Sequence, residues 1–218
     1  MIIDNNLLTR WSVPGDKFGN CIVLDDPNLV YINIPKNAST WTKHQLSTLV
    51  SKRDNYFINQ DLVKKPMLVM LREPIERWIS GISWYMTYVH PNLINSCNKN
   101  QEVQSVILTM VSEKIDFDGH TTPQSNFLQG INLSNVTFIR VKHNTDVYCE
   151  TFSKFFTEEL GVSNSFNTAP SQHVAVGNPI QIQWVKFFQS ALNTTLLEKL
   201  HRYYRDDINL YNSTKFYE

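Results

Sequence analysis

Short apolar runs alternate along this chain with longer stretches whose apolar residues recur at helical spacing. Asn28 to Ile34 (Asn-Leu-Val-Tyr-Ile-Asn-Ile) is apolar and β-branched and stops at Pro35, which predicts a strand. Behind it, Ser39 or Thr40 is placed to cap a helix whose apolar face carries Trp41, Leu46, Leu49 and Val50. Lys65-Pro66 then introduces Met67-Leu68-Val69-Met70-Leu71, an uninterrupted apolar run of buried-strand length. Pro74 stands where a helix would begin, and Ile75, Trp78, Ile79 and Ile82 follow at helical spacing.

The second half reads in the same way. Gln101 to Lys114 predicts a helix, and Asp116 to Gly130 an irregular loop closing in a short helix near Gln124–Leu128. Val136 to Val141 is the third strand, and Asp146 to Leu160 a helix ended by Gly161. Ser163 to Asn178 is polar and the least structured stretch. Two C-terminal helices are expected, from about Pro179 to Leu192 and from Thr195 to Tyr211. Strands alternating with helices imply an α/β fold of three layers, a mostly parallel central sheet flanked by helices, in one domain over residues 1–218. Ligands of such sheets bind beyond the carboxyl ends of the strands.

Composition narrows the classes. A length of 218 residues with 42% hydrophobic content gives one domain a proper core, and zero formal charge offers nothing global to nucleic acid or an anionic membrane. Any anionic ligand must be held by local charge. Met1-Ile2-Ile3-Asp4-Asn5-Asn6 lacks a basic n-region and an apolar h-region, so no signal peptide is expected. No segment approaches the roughly 18 apolar residues of a spanning helix, so no membrane anchor is expected either. The 3 cysteines, Cys21, Cys97 and Cys149, read as reduced thiols of a cytoplasmic protein. The chain is rich in Asn, which makes triplets such as Asn37-Ala38-Ser39 chance occurrences and points to a microbial or viral source.

Two strand-to-helix junctions carry chemistry. In Pro35-Lys36-Asn37-Ala38-Ser39-Thr40-Trp41, the N–H groups of a starting helix form an anion site, to which Lys36 adds a charge and Ser39 and Thr40 add hydroxyls. Taken alone, the segment is equally a capped helix beside a chance lysine, and it is not a Walker A loop. In Leu71-Arg72-Glu73-Pro74-Ile75-Glu76-Arg77-Trp78-Ile79-Ser80, Arg72 at the strand's end can grip a phosphate in bidentate fashion, and Ser80 can face the same pocket. The plain alternative pairs Arg72 with Glu73 or Glu76. Arg77 is assigned to a solvated face, on a different side of the helix from Ser80.

Together the two motifs resemble the PAPS-dependent sulfotransferases (PAPS is 3′-phosphoadenosine 5′-phosphosulfate), especially the branch acting on carbohydrates. In that branch a Pro-Lys-x-x-Ser/Thr loop binds the 5′-phosphosulfate and an Arg-Asp/Glu-Pro-x-x-Arg-x-x-Ser segment the 3′-phosphate. Lys36, Ser39 and Thr40 match the first pattern, and Arg72 and Ser80 the second, with Glu73 where Asp is more frequent. His120-Thr121-Thr122-Pro123-Gln124 is similar to a His-x-x-Pro-Gln segment of some members, and Tyr204 to Tyr211 to their closing helix, so the resemblance spans roughly residues 30 to 212.

The resemblance implies a P-loop-like fold and in-line sulfuryl transfer from PAPS, with PAP as product, to an acceptor hydroxyl or amine, a hydroxyl on a carbohydrate or another small molecule being favoured. Pro35, Lys36, Asn37, Ala38, Ser39 and Thr40 would hold the 5′ end, and Arg72 and Ser80 the 3′-phosphate. Lys36 would also serve catalysis by neutralising the leaving oxygen, and no metal is expected. A hydroxyl acceptor needs a general base. His120, in a loop between the motifs and following Asp116 and Asp118, either of which can orient it, is the first candidate. His44, about one turn into the helix behind the phosphate loop, is the rival; His90 and His173 rank below, and His143 and His201 read as structural or solvated. The alternatives are a P-loop-like phosphotransferase, for which neither a glycine-rich cradle nor a strand-end Asp is evident, and a non-catalytic nucleotide- or saccharide-binding protein. Trp41, Trp78, Trp84, Tyr85 and Tyr88 would then offer stacking surfaces, or simply core.

Overall fold

A computed structural model describes residues 21–49, 52–55, 61–142, 145–162, 166 and 178–218. The expectations for the N-terminal segment, Val50, His143, His173 and most of 163–178 lie outside these residues.

Among the described residues five strands form one sheet in the order β3-β1-β2-β4-β5: β1 (Cys21–Leu24), β2 (Leu29–Ile32), β3 (Lys52–Asn55), β4 (Met67–Arg72) and β5 (Val136–Val141). β2, β4 and β5 pair in parallel, whereas β1 pairs antiparallel with both β2 and β3. β1 alone therefore runs against the others, and the sheet is mostly parallel by direction. The predicted strands are found in place, with β2 starting one residue later at Leu29 and ending at Ile32.

The strands at the heart of the sheet are apolar throughout because both faces are covered. Successive side chains alternate between two cores, as the pleat requires. Ile22, Leu24, Leu29, Tyr31, Leu68, Met70, Ile139 and Val141 face one side, where they pack with Trp41 and Phe152. Cys21, Val23, Val30, Ile32, Met67, Val69, Leu71 and Phe138 face the other, with Phe127, Leu128 and Phe216.

The helices are α1 (Ser39–Leu46), α2 (Pro74–Val89), α3 (Leu93–Cys97), α4 (Gln101–Glu113), α5 (Thr145–Lys154), α6 (Pro179–Ala191), α7 (Thr194–Tyr203) and α8 (Arg205–Ser213). α5 and α1 supply Phe152 and Trp41, whose rings meet edge to face at 5.1 Å. A third core joins α2, α4, α6 and α7 through Trp78, Val111, Trp184, Phe188 and Leu200. Trp41 and Trp78 are therefore core residues, not stacking surfaces. Among the described residues no helix is long and apolar enough to cross a membrane.

Two helix boundaries depart from the periodicity. The expected Thr195–Tyr211 helix is broken at Tyr204, whose φ of −94° and ψ of 20° separate α7 from α8. Its buried hydroxyl donates to Thr121 O, a tertiary contact that an unbroken helix would redirect. The Asp146–Leu160 prediction starts at Thr145 and passes into a π-helical turn at Phe155–Glu159, ended as expected by Gly161 at φ 66°.

Candidate active site

β2 and β4 are parallel neighbours, so the segments that leave their carboxyl ends emerge on one edge of the sheet. After β2 the chain passes Asn33, Ile34 and Pro35, then Lys36 at φ 68° and Ala38 at φ 56°. Two non-glycine residues in the left-handed region cost on the order of 1–3 kcal/mol each, and surrounding contacts must hold them there. Asn37 between them does this. It is fully buried, and its Nδ2 donates to Met70 O at 2.7 Å and to Gln124 Oε1 at 2.6 Å. Among the loop residues assigned to ligand, Asn37 thus turns its side chain into the protein.

Neither Ser39 nor Thr40 caps α1, against expectation. The N-cap is Ala38, and no side chain accepts from the first turn. Asn37 N–H donates to Ile34 O at 3.3 Å. Ser39 is half-buried and Thr40 exposed. An N-terminus without a side-chain cap and without acidic residues in its first turn is suited to an anion.

The second junction ends β4 at Arg72. Its Nη1 donates to Lys36 O at 3.4 Å, and its Nε lies 3.7 Å from Glu76 Oε2, so the ion pair with Glu76 is present and orients the guanidinium toward the first loop. Glu73 instead caps α2, accepting from Glu76 N at 2.7 Å. Ser80 is half-buried at the end of the second turn of α2.

Arg77 is the largest correction to the sequence reading. It is completely buried, with Nε donating to Pro35 O at 2.9 Å, Nη1 to Thr122 O at 2.6 Å and Nη2 to Gly119 O at 3.2 Å. Residues three apart on a helix are neighbours, so Arg77 and Ser80 share a face rather than opposing one another. That spacing, and the flanking Ile75, Trp78 and Ile79, were the available signals that Arg77 points inward.

The loop after α4 carries His120. Its ring nitrogen Nδ1 lies 3.0 Å from Asp118 Oδ2, and its backbone N–H donates to Asp118 Oδ1 at 2.9 Å. Of the two carboxylates left open as orienting partners, Asp118 takes the role. Asp116 instead accepts from Thr121 Oγ1 and Thr122 Oγ1, both at 3.1 Å, and knits the loop together. The His120 ring stacks on Trp84 at 3.9 Å and 27°, and the Lys36 ammonium sits 5.9 Å from the centre of the Trp84 ring. Loop, helix and phosphate-loop residues thus meet on one indole.

The loop lies unusually close to α2. A Cβ at Gly81 would fall 2.3 Å from His120 O. His44 is exposed in the last turn of α1, outside the contacts that join Lys36, Trp84 and His120. His90 is half-buried at the end of α2, and His201 is exposed.

Burial lowers the pKa of Lys36 to about 8, with Arg72 adding to the shift and Asp118 opposing it. Burial likewise holds His120 below the usual imidazole value, the Asp118 hydrogen bond working against it. A neutral imidazole whose Nδ1–H is fixed on a carboxylate keeps a lone pair at Nε2. Arg72 and Arg77 are also lowered by burial, chiefly offset by Glu76 and by Tyr204 respectively.

Gln124 completes the site. Its Oε1 accepts from Arg72 N at 3.2 Å and its Nε2 donates to Arg72 O at 2.9 Å, besides the bond from Asn37. Buried Asp207 in turn accepts from Gln124 N at 2.6 Å and Ser125 N at 2.8 Å. The His-x-x-Pro-Gln segment and the C-terminal helix, noted in the sequence only as matching pattern, are therefore braces of the two motifs.

No curated protein and no solved structure matches the chain. The profile of the Sulfotransferase family does, over residues 19–214, a span that takes in both junctions, the His120 loop and the helix that braces them. With that match over most of its length, the chain belongs to the sulfotransferase family.

Proposed function

We propose that this enzyme transfers the sulfuryl group of PAPS to a hydroxyl of a carbohydrate, with Lys36, Ser39, Thr40, Arg72 and Ser80 on the donor side and His120 as general base. One observation carries the reading. Lys36, Arg72 and His120 come from three separate segments and are joined by consecutive contacts, Arg72 to Lys36 O, Lys36 to Trp84, and Trp84 to His120.

The residues fit such a donor. Two cations stand beside a helix N-terminus that no side chain caps, and Lys36 and Ala38 hold the loop before it in the left-handed region. PAPS supplies an activated sulfuryl group whose leaving group is a phosphate. Lys36 compensates the charge that grows on that phosphate, where a fixed cation at a half-buried site acts more strongly than in water. The first-turn N–H groups of α1 and the hydroxyls of Ser39 and Thr40 donate to the same phosphate. Arg72, steadied by Glu76, and Ser80 hold the 3′-phosphate, which separates this donor from ATP-like nucleotides.

His120 takes the acceptor's proton at Nε2. Asp118 fixes the tautomer and offsets the charge the ring gains, the role of an orienting carboxylate in other acid–base pairs. A saccharide acceptor is supported by the rings beside it. Trp84 contacts Tyr88 at 4.6 Å, and Tyr88 is 62% exposed, which leaves an aromatic ring beside the base open to an acceptor.

The test is a transfer screen with ³⁵S-labelled PAPS against polysaccharides, lipids, small phenols and peptides, run beside Lys36→Ala and Arg72→Ala. Label on a polysaccharide, lost in both variants, is the expected outcome. Label only on phenols or peptides overturns the carbohydrate reading, and PAP binding undiminished in both variants overturns the donor site.

A further inference from the structure

We infer that Arg77 is a positioning residue for transfer: its guanidinium fastens the donor loop and the His120 loop to each other at a fixed separation. The inference rests on reading Pro35–Thr40 as the donor loop and His120 as the base.

Three observations carry it. All three contacts of Arg77 go to backbone carbonyls, and each carbonyl flanks a reacting group: Pro35 precedes Lys36, Gly119 precedes His120, and Thr122 lies two residues beyond it. The carbonyls come from two segments more than eighty residues apart, so no local structure holds them together. The guanidinium is fully buried in contact with carbonyls, with the Phe127 ring 5.9 Å away. Mere packing at such a site is served as well by an apolar side chain, which carries no desolvation cost. What a planar fork supplies and an apolar chain does not is several donors in rigid relation.

Tyr204 and the Asp118–Thr121 turn support the same loop from the far side, through the Tyr204 hydroxyl on Thr121 O and Thr121 N–H on Asp118 O. Arg77 reaches across to the donor loop at the level of Gly119 and Thr122, whereas the other tie between the two segments, Asn37 to Gln124, lies beyond His120 toward Arg72.

A charge so placed also faces the titrating groups. His120 is faced by Asp118 from its own loop, Lys36 from the donor loop and Arg77 from α2. Lys36 is faced by Arg72, Asp118 and Arg77. Replacing Arg77 by a neutral side chain removes a positive neighbour from both, and both then hold protons to higher pH.

The experiment compares the full chain with Arg77→Lys and Arg77→Met, measuring PAP affinity, kcat, KM for the acceptor and the pH profile. Displacement of a base by about an ångström lowers rates on the order of 100-fold. Both variants are expected to lose kcat by tens- to a hundred-fold while PAP affinity changes a few-fold. Only Arg77→Met moves the limbs of the pH profile upward. Parental kcat and parental limbs in both variants overturn the inference.

Should the variants not fold, the parent decides by amide hydrogen exchange. Adding PAP is expected to slow exchange at residues 119–122 as well as at 36–40; protection confined to 36–40 overturns the coupling. A parent that binds no PAP and transfers no sulfate overturns the donor-site reading itself, which separates that failure from this one.

Discussion

The side-chain amide of Gln124 grips the main chain of Arg72 at both ends, accepting from its N–H at 3.2 Å and donating to its carbonyl at 2.9 Å. It pairs with the last residue of β4, as a further strand would. Because the same Oε1 also accepts from Asn37, this one amide sets the donor loop and the Arg72 junction in register. Lys36 and Arg72, the two cations of the proposed donor site, are thereby placed by a residue that carries no charge.

Gln124→Leu should therefore act on stability and on the donor site together. Gln124 is 1% exposed, so the substitution leaves the Arg72 N–H and C=O without this partner in a dry setting. Each unsatisfied buried group costs on the order of 1–3 kcal/mol. A fall in the denaturant midpoint with a loss of PAP affinity is expected. An unchanged midpoint in urea melts would show that the amide pair contributes nothing.

Lys36 gives the donor site a pH dependence of defined sign. With its pKa lowered to about 8, the ammonium is lost as pH rises through that value, and PAP binding should weaken between pH 7 and 9.5. Stability moves the other way. The unfolded chain keeps the proton up to the usual lysine value of about 10.4, so the folded state gains relative stability from this group as pH rises between the two. Lys36→Arg removes the titration, because a guanidinium stays charged. Calorimetry at the two pH values distinguishes the proteins; an equal pH effect in Lys36→Arg would assign it to another group.

His120 and Asp118 predict the acid limb. Burial holds the imidazole neutral below its usual value, so transfer should persist to lower pH than an ordinary histidine base allows. His120→Ala is expected to lower kcat on the order of 100- to 10,000-fold. Asp118→Asn removes the influence that raises the His120 pKa, so its acid limb should move further down while the plateau falls. Profiles of kcat against pH for the three proteins are the check, and an unchanged plateau in His120→Ala would end the case for this base.

The sequence made legible the elements whose local pattern is also their tertiary environment. β4 is buried on both faces and reads as an unbroken apolar run, β5 shows β-branched and aromatic residues around Thr137 and Arg140, and α2 carries its core stripe behind a proline start. β3 did not show itself, because Lys-Arg-Asp-Asn has no apolar alternation and pairs at the edge of the sheet through its backbone. Lys36 and Arg72 stood out as candidates because they lie at or just beyond strand ends. The inward, bracing roles of Arg77, Asn37 and Asp207 escaped because their partners are carbonyls and amides from remote segments, and composition carries no trace of such partners. Burial of a polar residue is a property of the assembled loops.

Gly81 offers the most direct test of how closely the base loop must approach α2. Alanine favours a helix interior over glycine by about 1 kcal/mol, so on propensity alone Gly81→Ala should stabilise the protein. The added Cβ would lie 2.3 Å from His120 O and 2.8 Å from His120 C, both backbone atoms, and 3.2 Å from Thr121 Cγ2. Backbone cannot rotate away as a flexible side chain does. The loop must lift, which strains the Arg77 bonds to Gly119 and Thr122 and loosens the stack of His120 on Trp84. Overpacking of this kind costs on the order of 1–3 kcal/mol, which outweighs the propensity gain. Gly81→Ala should accordingly melt earlier and transfer sulfate more slowly while binding PAP nearly as the parent does, since the donor loop lies on the other side of the clamp. A variant with a raised melting temperature and parental kcat would mean that the loop rides higher over the helix than these distances allow.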